Sequence, residues 1–556
     1  MSSIVADPPK GKAPRARRAL SSATRANVRR AGRRPQLALF LASFAVYAVI
    51  GLKVVVLQHV VVPDGWARLA HAYFVYYNHP PKLTAIGFIW PPLMTLVLLP
   101  LAWISPLATS LAALPLTSAF FGAATISVLD RMLTGAGMRR GLRYPLLIAF
   151  GLNPMLLFYA TNGMSEIVSL FLLTIAIHAL ISWYRTREIR YVAVLSFALA
   201  LGFLSRYELL LWACAVGIFI ASAMIARRAR SSAIEGTLIT YLVPIAYAVG
   251  LWLFLNWTIV GSPLHWLHSE TSAETGVSLA GHARPSITTA VGDVLSLNGW
   301  MFLPTLAAFA ALAAVGVFRR DGMAWGICMF LGLNAAFTGL LFYVSGNHQY
   351  LELRYNIRAM PAVIAGVAWL YLRSSSQISR YLIWGVSLAL LVGAYPLTWH
   401  VMATSNSGFL EDAFVHALPT FQDQTGTTAH VLGSRVTIGA TDERAMARYI
   451  HRHVHGSDSI LTDDAASFAV ILFDGRPEVY LDRIDVGDSA WNRVLDRPWG
   501  KVRYLLTSPR SVAGGSDLAT RHYPGLLHST TPGFTRVYGN ARYTLFRVDR
   551  ANPHRP

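Results

Sequence analysis

Runs of about 18 or more apolar residues recur along the chain as far as residue 402, and that is the length a helix needs to cross a bilayer. The apolar segments are 36–62, 90–105, 107–129, 144–161, 165–183, 190–205, 208–226, 237–257, 296–318, 323–344, 356–373 and 380–402. Only 14% of the 556 residues are charged, against about 25% in soluble domains. The reading is therefore a polytopic membrane protein: a basic tail (1–35), a transmembrane domain (36–402) and a closing stretch of soluble composition (403–556).

The net charge of +20 is not a nucleic-acid footprint, because nearly half of it sits in residues 1–34, where ten basic residues face one acid, Asp7. A basic tail directly before an apolar segment is a positive-inside signal, and it can also touch anionic membrane lipid. No short apolar region with a small-residue cleavage site follows it, so no removable signal is expected. Cys214 and Cys328 both lie in apolar segments, which argues against a disulfide framework or a cysteine metal site.

Further basic clusters fall in short connections: Arg131 with Arg139, Arg140 and Arg143; Arg185, Arg187 and Arg190; Arg227, Arg228 and Arg230; Arg319 and Arg320; and Arg373 with Arg380. If the Pro-broken segment 90–105 does not span, every cluster falls on the cytoplasmic side; if it does span, all fall outside. The expectation is eleven spans plus a re-entrant 90–105, with a cytoplasmic N-terminus and an extracytoplasmic C-terminal domain at the plasma membrane. The loops 63–89, 162–166, 205–208, 258–295 and 345–355 then lie outside, and they carry most of the unusual polar residues.

Asp64 is the first outer loop's only acid and directly follows the first span. Near the membrane surface it is a candidate general base or metal ligand, and a solvated Asp in a Pro-Asp-Gly turn is the competing reading. His71, His79 and Lys82 share its loop as candidate phosphate ligands, with snorkelling an alternative for Lys82. Glu166, in the run Asn162-Gly163-Met164-Ser165-Glu166, is either functional or a partner of the helix dipole, with Ser165 a possible cap. Arg206 and Glu208 place opposite charges between two apolar helices, as a structural pair or as an anion site. His348, Glu352, Arg354 and Arg358 crowd one outer turn suited to neutralising a lipid phosphate or to forming an interfacial belt. His265, His268, Glu270 and Glu274 occupy the long outer loop; the i,i+3 histidines suggest a metal pair, but no third ligand is fixed, so no metal site is assigned.

In the tail, 441–455 reads as an amphipathic helix, with short strands at 458–462, 478–481, 502–507 and 542–548. Asp463-Asp464 reads as a solvated loop. No P-loop, G-x-G-x-x-G, G-x-S-x-G or H-E-x-x-H motif is present.

These residues resemble the GT-C superfamily of membrane glycosyltransferases, which includes protein O-mannosyltransferases, lipid A aminoarabinose transferases, GPI mannosyltransferases and mycobacterial cell-wall enzymes. Asp64 stands where that family has its first-loop acid, and Trp90-Pro91-Pro92-Leu93 is similar to its PPL element. Asn153-Pro154 through Ser165-Glu166 is similar to an NP…SE stretch of the GPI-mannosyltransferase branch. Arg206-Tyr207-Glu208 resembles an R-Y-E turn common in actinobacterial members, and Arg354-Tyr355…Pro361 resembles the family's R-Y…P element preceding a late helix. Many relatives carry a second acid after the first; here the residue is Gly65.

The resemblance implies a bundle of about eleven to thirteen helices with an outer α/β domain and a polyprenyl-phosphate sugar donor, with mannose or arabinose the sugars in view. The acceptor is a glycan, glycolipid or protein. Catalysis falls to Asp64 and Glu166, substrate binding to His71, Lys82, Arg206, Glu208, His348, Arg354 and Tyr355, and a divalent metal is the cofactor to test for. A transporter or flippase of a lipid-linked saccharide, and a non-catalytic membrane scaffold, are the competing classes.

Overall fold

The structure is a computed structural model, and it describes residues 34–88, 90–268, 284–404, 410–421, 440–508, 517–528 and 531–550. The basic clusters of residues 1–33, and Glu270 and Glu274, lie outside the described residues, as does the His268 side chain.

Seven helices are long and apolar enough to cross a membrane: Arg34–Leu57, Ala113–Gly135, Ser165–Thr186, Leu209–Ala226, Ser231–Val260, Gly322–Ser345 and Gln377–Thr404. An eighth arises if Ile287–Phe302 and Pro304–Phe318, bent by 109°, count as one span. The number falls short of eleven where expected spans are short or broken. Ile189–Ser205 has 17 residues and Met360–Arg373 has 14. The expected span 144–161 divides into Arg140–Gly151 and Pro154–Tyr159. Pro154 cannot donate a helical hydrogen bond, so the chain restarts there. Asn153 caps the new helix through Met155 N at 3.1 Å and ties it to Thr398 of the last bundle helix at 3.2 Å.

All five described basic clusters gather at one end of the bundle. Arg185 donates to the Gly135 carbonyl at 3.0 Å, Arg227 lies over the Tyr184 ring at 3.9 Å, and Arg319 reaches the Arg373 carbonyl at 3.4 Å. Trp384 joins Leu142, and the Tyr184 and Trp369 rings meet edge to face.

The segment between the first two long helices starts and finishes at the opposite end. Gly51 lies against Pro115 and Thr161, and Gly163 against Leu114. Within it, Leu93–Ala102 rises only about 15 Å, half a hydrocarbon core. Lys53, an ionisable residue late in the first long helix, donates to the Leu418 carbonyl at 2.7 Å, and Gln58 donates to Ala417 at 2.9 Å. The chain leaving the bundle is thus pinned beside the first helix.

The C-terminal part forms a five-stranded sheet of order β2-β1-β3-β5-β4, where β1 is Ile460–Thr462, β2 Tyr480–Leu481, β3 Tyr504–Thr507, β4 Phe534–Gly539 and β5 Thr544–Val548. β1 runs parallel to β2 and β3; β5 is antiparallel to β3 and β4. Alternate residues point to opposite faces: Leu461, Leu505 and Phe546 share a core with Trp491, while Ile460, Leu506 and Leu545 join the main core with Phe468 and Ile471. Asp463-Asp464 is not a solvated loop. Both residues are buried; Asp463 caps the Asp464–Asp474 helix, and Arg483 pairs with both at 3.1 and 3.2 Å. Burial raises the pKa of Asp463 against the pull of that arginine.

A candidate active site at one end of the bundle

Asp64 stands on the first turn of the Pro63–Tyr77 helix. The Pro-Asp-Gly run is a helix start rather than a turn. Pro63 suits the first helical position because its missing N–H would be unpaired there anyway, and Asp64 faces the positive end of the helix dipole. Trp66 on this helix packs edge to face on Phe468 with ring centroids 6.0 Å apart, and Tyr73 donates to the Gly475 carbonyl at 3.1 Å. The helix is therefore held between the bundle and the C-terminal α/β part.

Position 65 explains why only one acid sits here. A Cβ on Gly65 would lie 3.0 Å from the Asn162 carbonyl oxygen and 3.2 Å from the Gly163 backbone. The Asp64 turn and the Asn162–Glu166 turn touch backbone to backbone, which leaves no space for a second carboxylate.

Four separate turns converge on this point. Arg354 Nη1 donates to Asp64 Oδ2 at 3.1 Å, and its Nε lies 2.5 Å from Glu352 Oε2. Arg206 donates to Glu166 in a short contact and to Glu208 Oε1 at 2.9 Å. Arg358, buried and expected only as part of the polar outer turn, donates to the same Glu208 oxygen at 3.1 Å. The Tyr355 ring collects all three guanidiniums, with Arg354, Arg206 and Arg358 at 5.0, 5.5 and 6.0 Å from its centroid. Arg68, one turn after Asp64, donates to the Asp64 carbonyl at 3.3 Å and lies 5.0 Å from the Trp90 ring. Unpaired charges at such a depth cost several kcal/mol; here Asp64, Glu166, Glu208 and Glu352 each have an arginine beside them.

Exposure separates the roles. The Asp64 side chain is 36% exposed and that of Arg354 20%, whereas Glu166 is sealed at 0% behind Arg206. Glu166, expected among the catalytic groups, is buried behind Arg206 and paired with it. Ser165 does not cap its helix: Met164 is the N-cap residue and Asn162 accepts from the Met164 N–H at 2.9 Å.

Three other expected ligands sit on neighbouring elements. His71 is on the Asp64 helix, with Nδ1 2.9 Å from the Ala85 carbonyl, and burial lowers its pKa. Lys82 is half-buried at the entry to the Leu83–Ile86 turn. His348 is exposed against Phe342, at 4.8 Å between ring centroids, with no described contact to the arginine cluster.

One buried acid had no local sequence signal. Glu411 accepts from the Tyr159 hydroxyl at 2.6 Å across 252 residues, and burial pushes its carboxyl up to about 8. Arg68 was more visible, being four residues beyond Asp64 on a helix.

The residues do not fit a divalent metal. Among the described residues no three His, Cys, Asp or Glu side chains are grouped to hold one, and the Arg354 cation stands against the Asp64 carboxylate.

The class the structure defines is an apolar helical bundle with a small C-terminal α/β part, and solved structures share this fold. ArnT from Cupriavidus metallidurans bound to undecaprenyl phosphate is 13% identical, with 92% of this chain and 97% of that chain covered at a TM-score of 0.54. The apo state of the same protein is 12% identical, with 94% and 100% covered at 0.55. At such identity the likeness is one of fold. No protein-family model and no curated protein matches the chain.

Proposed function

We propose that this chain transfers a sugar from a polyprenyl-phosphate donor to an acceptor hydroxyl, at the membrane face opposite its basic clusters. The observation that carries the reading is the Asp64–Arg354 pair: the most exposed carboxylate of the cluster, hydrogen-bonded to its most exposed arginine. The shared fold with a protein solved with undecaprenyl phosphate bound supports the donor class.

In the reaction, the acceptor oxygen attacks the anomeric carbon while Asp64 takes its proton. The bond from that carbon to the phosphate oxygen breaks, and polyprenyl phosphate leaves with the electron pair. As Asp64 becomes neutral, Arg354 loses one of its two carboxylate partners, keeping Glu352, just as negative charge grows on the leaving phosphate. The guanidinium therefore binds the transition state better than the ground state. Arg206, held by Glu166 and Glu208, adds field at the same place. A single displacement inverts the anomeric configuration.

Positive-inside logic puts residues 1–35 in the cytoplasm and 403–556 outside, with eleven passages between. The C-terminal part then braces the Asp64 helix from outside. Mannose or arabinose is the sugar, and a glycan, glycolipid or protein supplies the hydroxyl.

The test is a proteoliposome assay with a panel of radiolabelled polyprenyl-phosphate sugars and the product's anomeric configuration read by NMR. Transfer from one donor with inversion is the expected result. Retention contradicts the single displacement, and silence from every donor favours a transporter or scaffold.

A further inference from the structure

We propose that the end of the bundle remote from Asp64 holds a binding site for an anionic phospholipid, with Arg187 and Arg227 taking its phosphate. A groove of about 540 Å³ opens there between the end of Ser165–Thr186 and the start of Ser231–Leu255. Arg187 and Arg227 stand on its wall with Trp183. Both guanidiniums lean on one ring, Tyr184, at 4.9 and 3.9 Å, which holds them as a pair. Neither has a carboxylate partner among the described residues, whereas neighbouring Arg190 is paired with Glu188.

The groove's other wall decides between a lipid and a soluble anion. It is a stripe along one helix that includes Gly236, Thr237 and Thr240. The two threonine hydroxyls donate back to the Ala233 and Gly236 carbonyls at 2.7 and 2.8 Å, so they have no proton left for a phosphate or sugar oxygen and otherwise present methyl groups. A nucleotide or sugar phosphate would bury polar groups there without partners; an acyl chain would not. Two unpaired cations above an apolar trough match a phosphate carrying a hydrocarbon tail. Basic pockets between transmembrane helices on the cytoplasmic side recognise lipid headgroups in this way.

Depth agrees. Glu166 and Thr186 lie 20 positions apart along one helix, a rise of about 30 Å that matches a hydrocarbon core of about 30 Å, and Arg187 follows directly as its C-cap. The groove is therefore at the leaflet opposite Asp64, and the proposal stands whether or not the chain transfers sugar.

The test is native mass spectrometry of the purified full chain released from nanodiscs of equal phosphatidylglycerol and phosphatidylcholine. The wild type should retain phosphatidylglycerol selectively. The Arg187→Gln/Arg227→Gln pair should lower that retention about tenfold. Arg185→Gln/Arg190→Gln, an equal charge loss outside the groove, should leave it unchanged. Gly236→Leu keeps every charge and fills the trough; its added Cβ meets no atom within 4 Å, so it should fold and still lose the lipid. Equal retention of both lipids, equal loss in the two arginine pairs, or full retention by Gly236→Leu would each overturn the proposal.

Discussion

Asp64 owes its reach to its neighbour. Because Gly65 lets the helix start press on the Asn162–Gly163 backbone, the carboxylate is set at the depth where Arg354 meets it. Gly65→Ala should force the two turns apart, cost about 1–3 kcal/mol by overpacking, and lower transfer although no charged group is touched; an unchanged melting temperature in detergent would contradict that contact. Glu411 makes a second test. Its carboxyl is raised from an ordinary 4.5 to about 8, so the fold favours the protonated form. That contribution is full below pH 4.5 and is lost as pH rises through 8. The melting temperature should fall across that window, and Glu411→Gln should flatten the fall. The same slope in the variant would show that Glu411 is not the group titrating.

At the scale of elements, the Asp64 helix depends on the helix it leans against. Asp463 caps Asp464–Asp474, accepts from the Leu518 N–H at 3.0 Å and pairs with Arg483, so Asp463→Ala should cost about 1–3 kcal/mol in the C-terminal part. A melt unchanged within error would contradict this. The role of this aspartate was not legible beforehand, because Arg483 lies twenty residues away and nothing local distinguishes a cap from a loop. The 441–455 helix was legible, since Met446 and Ile450 repeat at helical spacing and both are buried. Four of the five strands were legible from short apolar runs. β4 was not: only Phe534 of its residues is buried, and its pairing with β5 makes it a strand. Within the site, Asp64, Arg206, Glu208, Arg354 and Tyr355 were visible as polar residues stranded at the ends of apolar helices. Arg358 stood beside them in sequence, but its bond to Glu208 spans 150 residues. Glu166 was visible too, though not that it would be sealed.

Across the whole molecule, charge is sorted by end. Basic clusters collect at one pole and the paired arginine–carboxylate cluster at the other, with segment 58–112 beginning and ending at the site pole. In a bilayer this fixes the orientation of everything else, and single cysteines report it. A cysteine at exposed His348 should react with a membrane-impermeant maleimide in right-side-out vesicles, and one at Arg228 only after permeabilisation. The reverse pattern would place the site in the cytosol and end the account of an externally acting enzyme. The most direct measurement of the central claim is single-turnover sugar transfer by Asp64→Asn against wild type at matched protein levels in proteoliposomes. Loss of a general base should slow the step by about 10²- to 10⁴-fold while donor binding persists; an unchanged rate would contradict it.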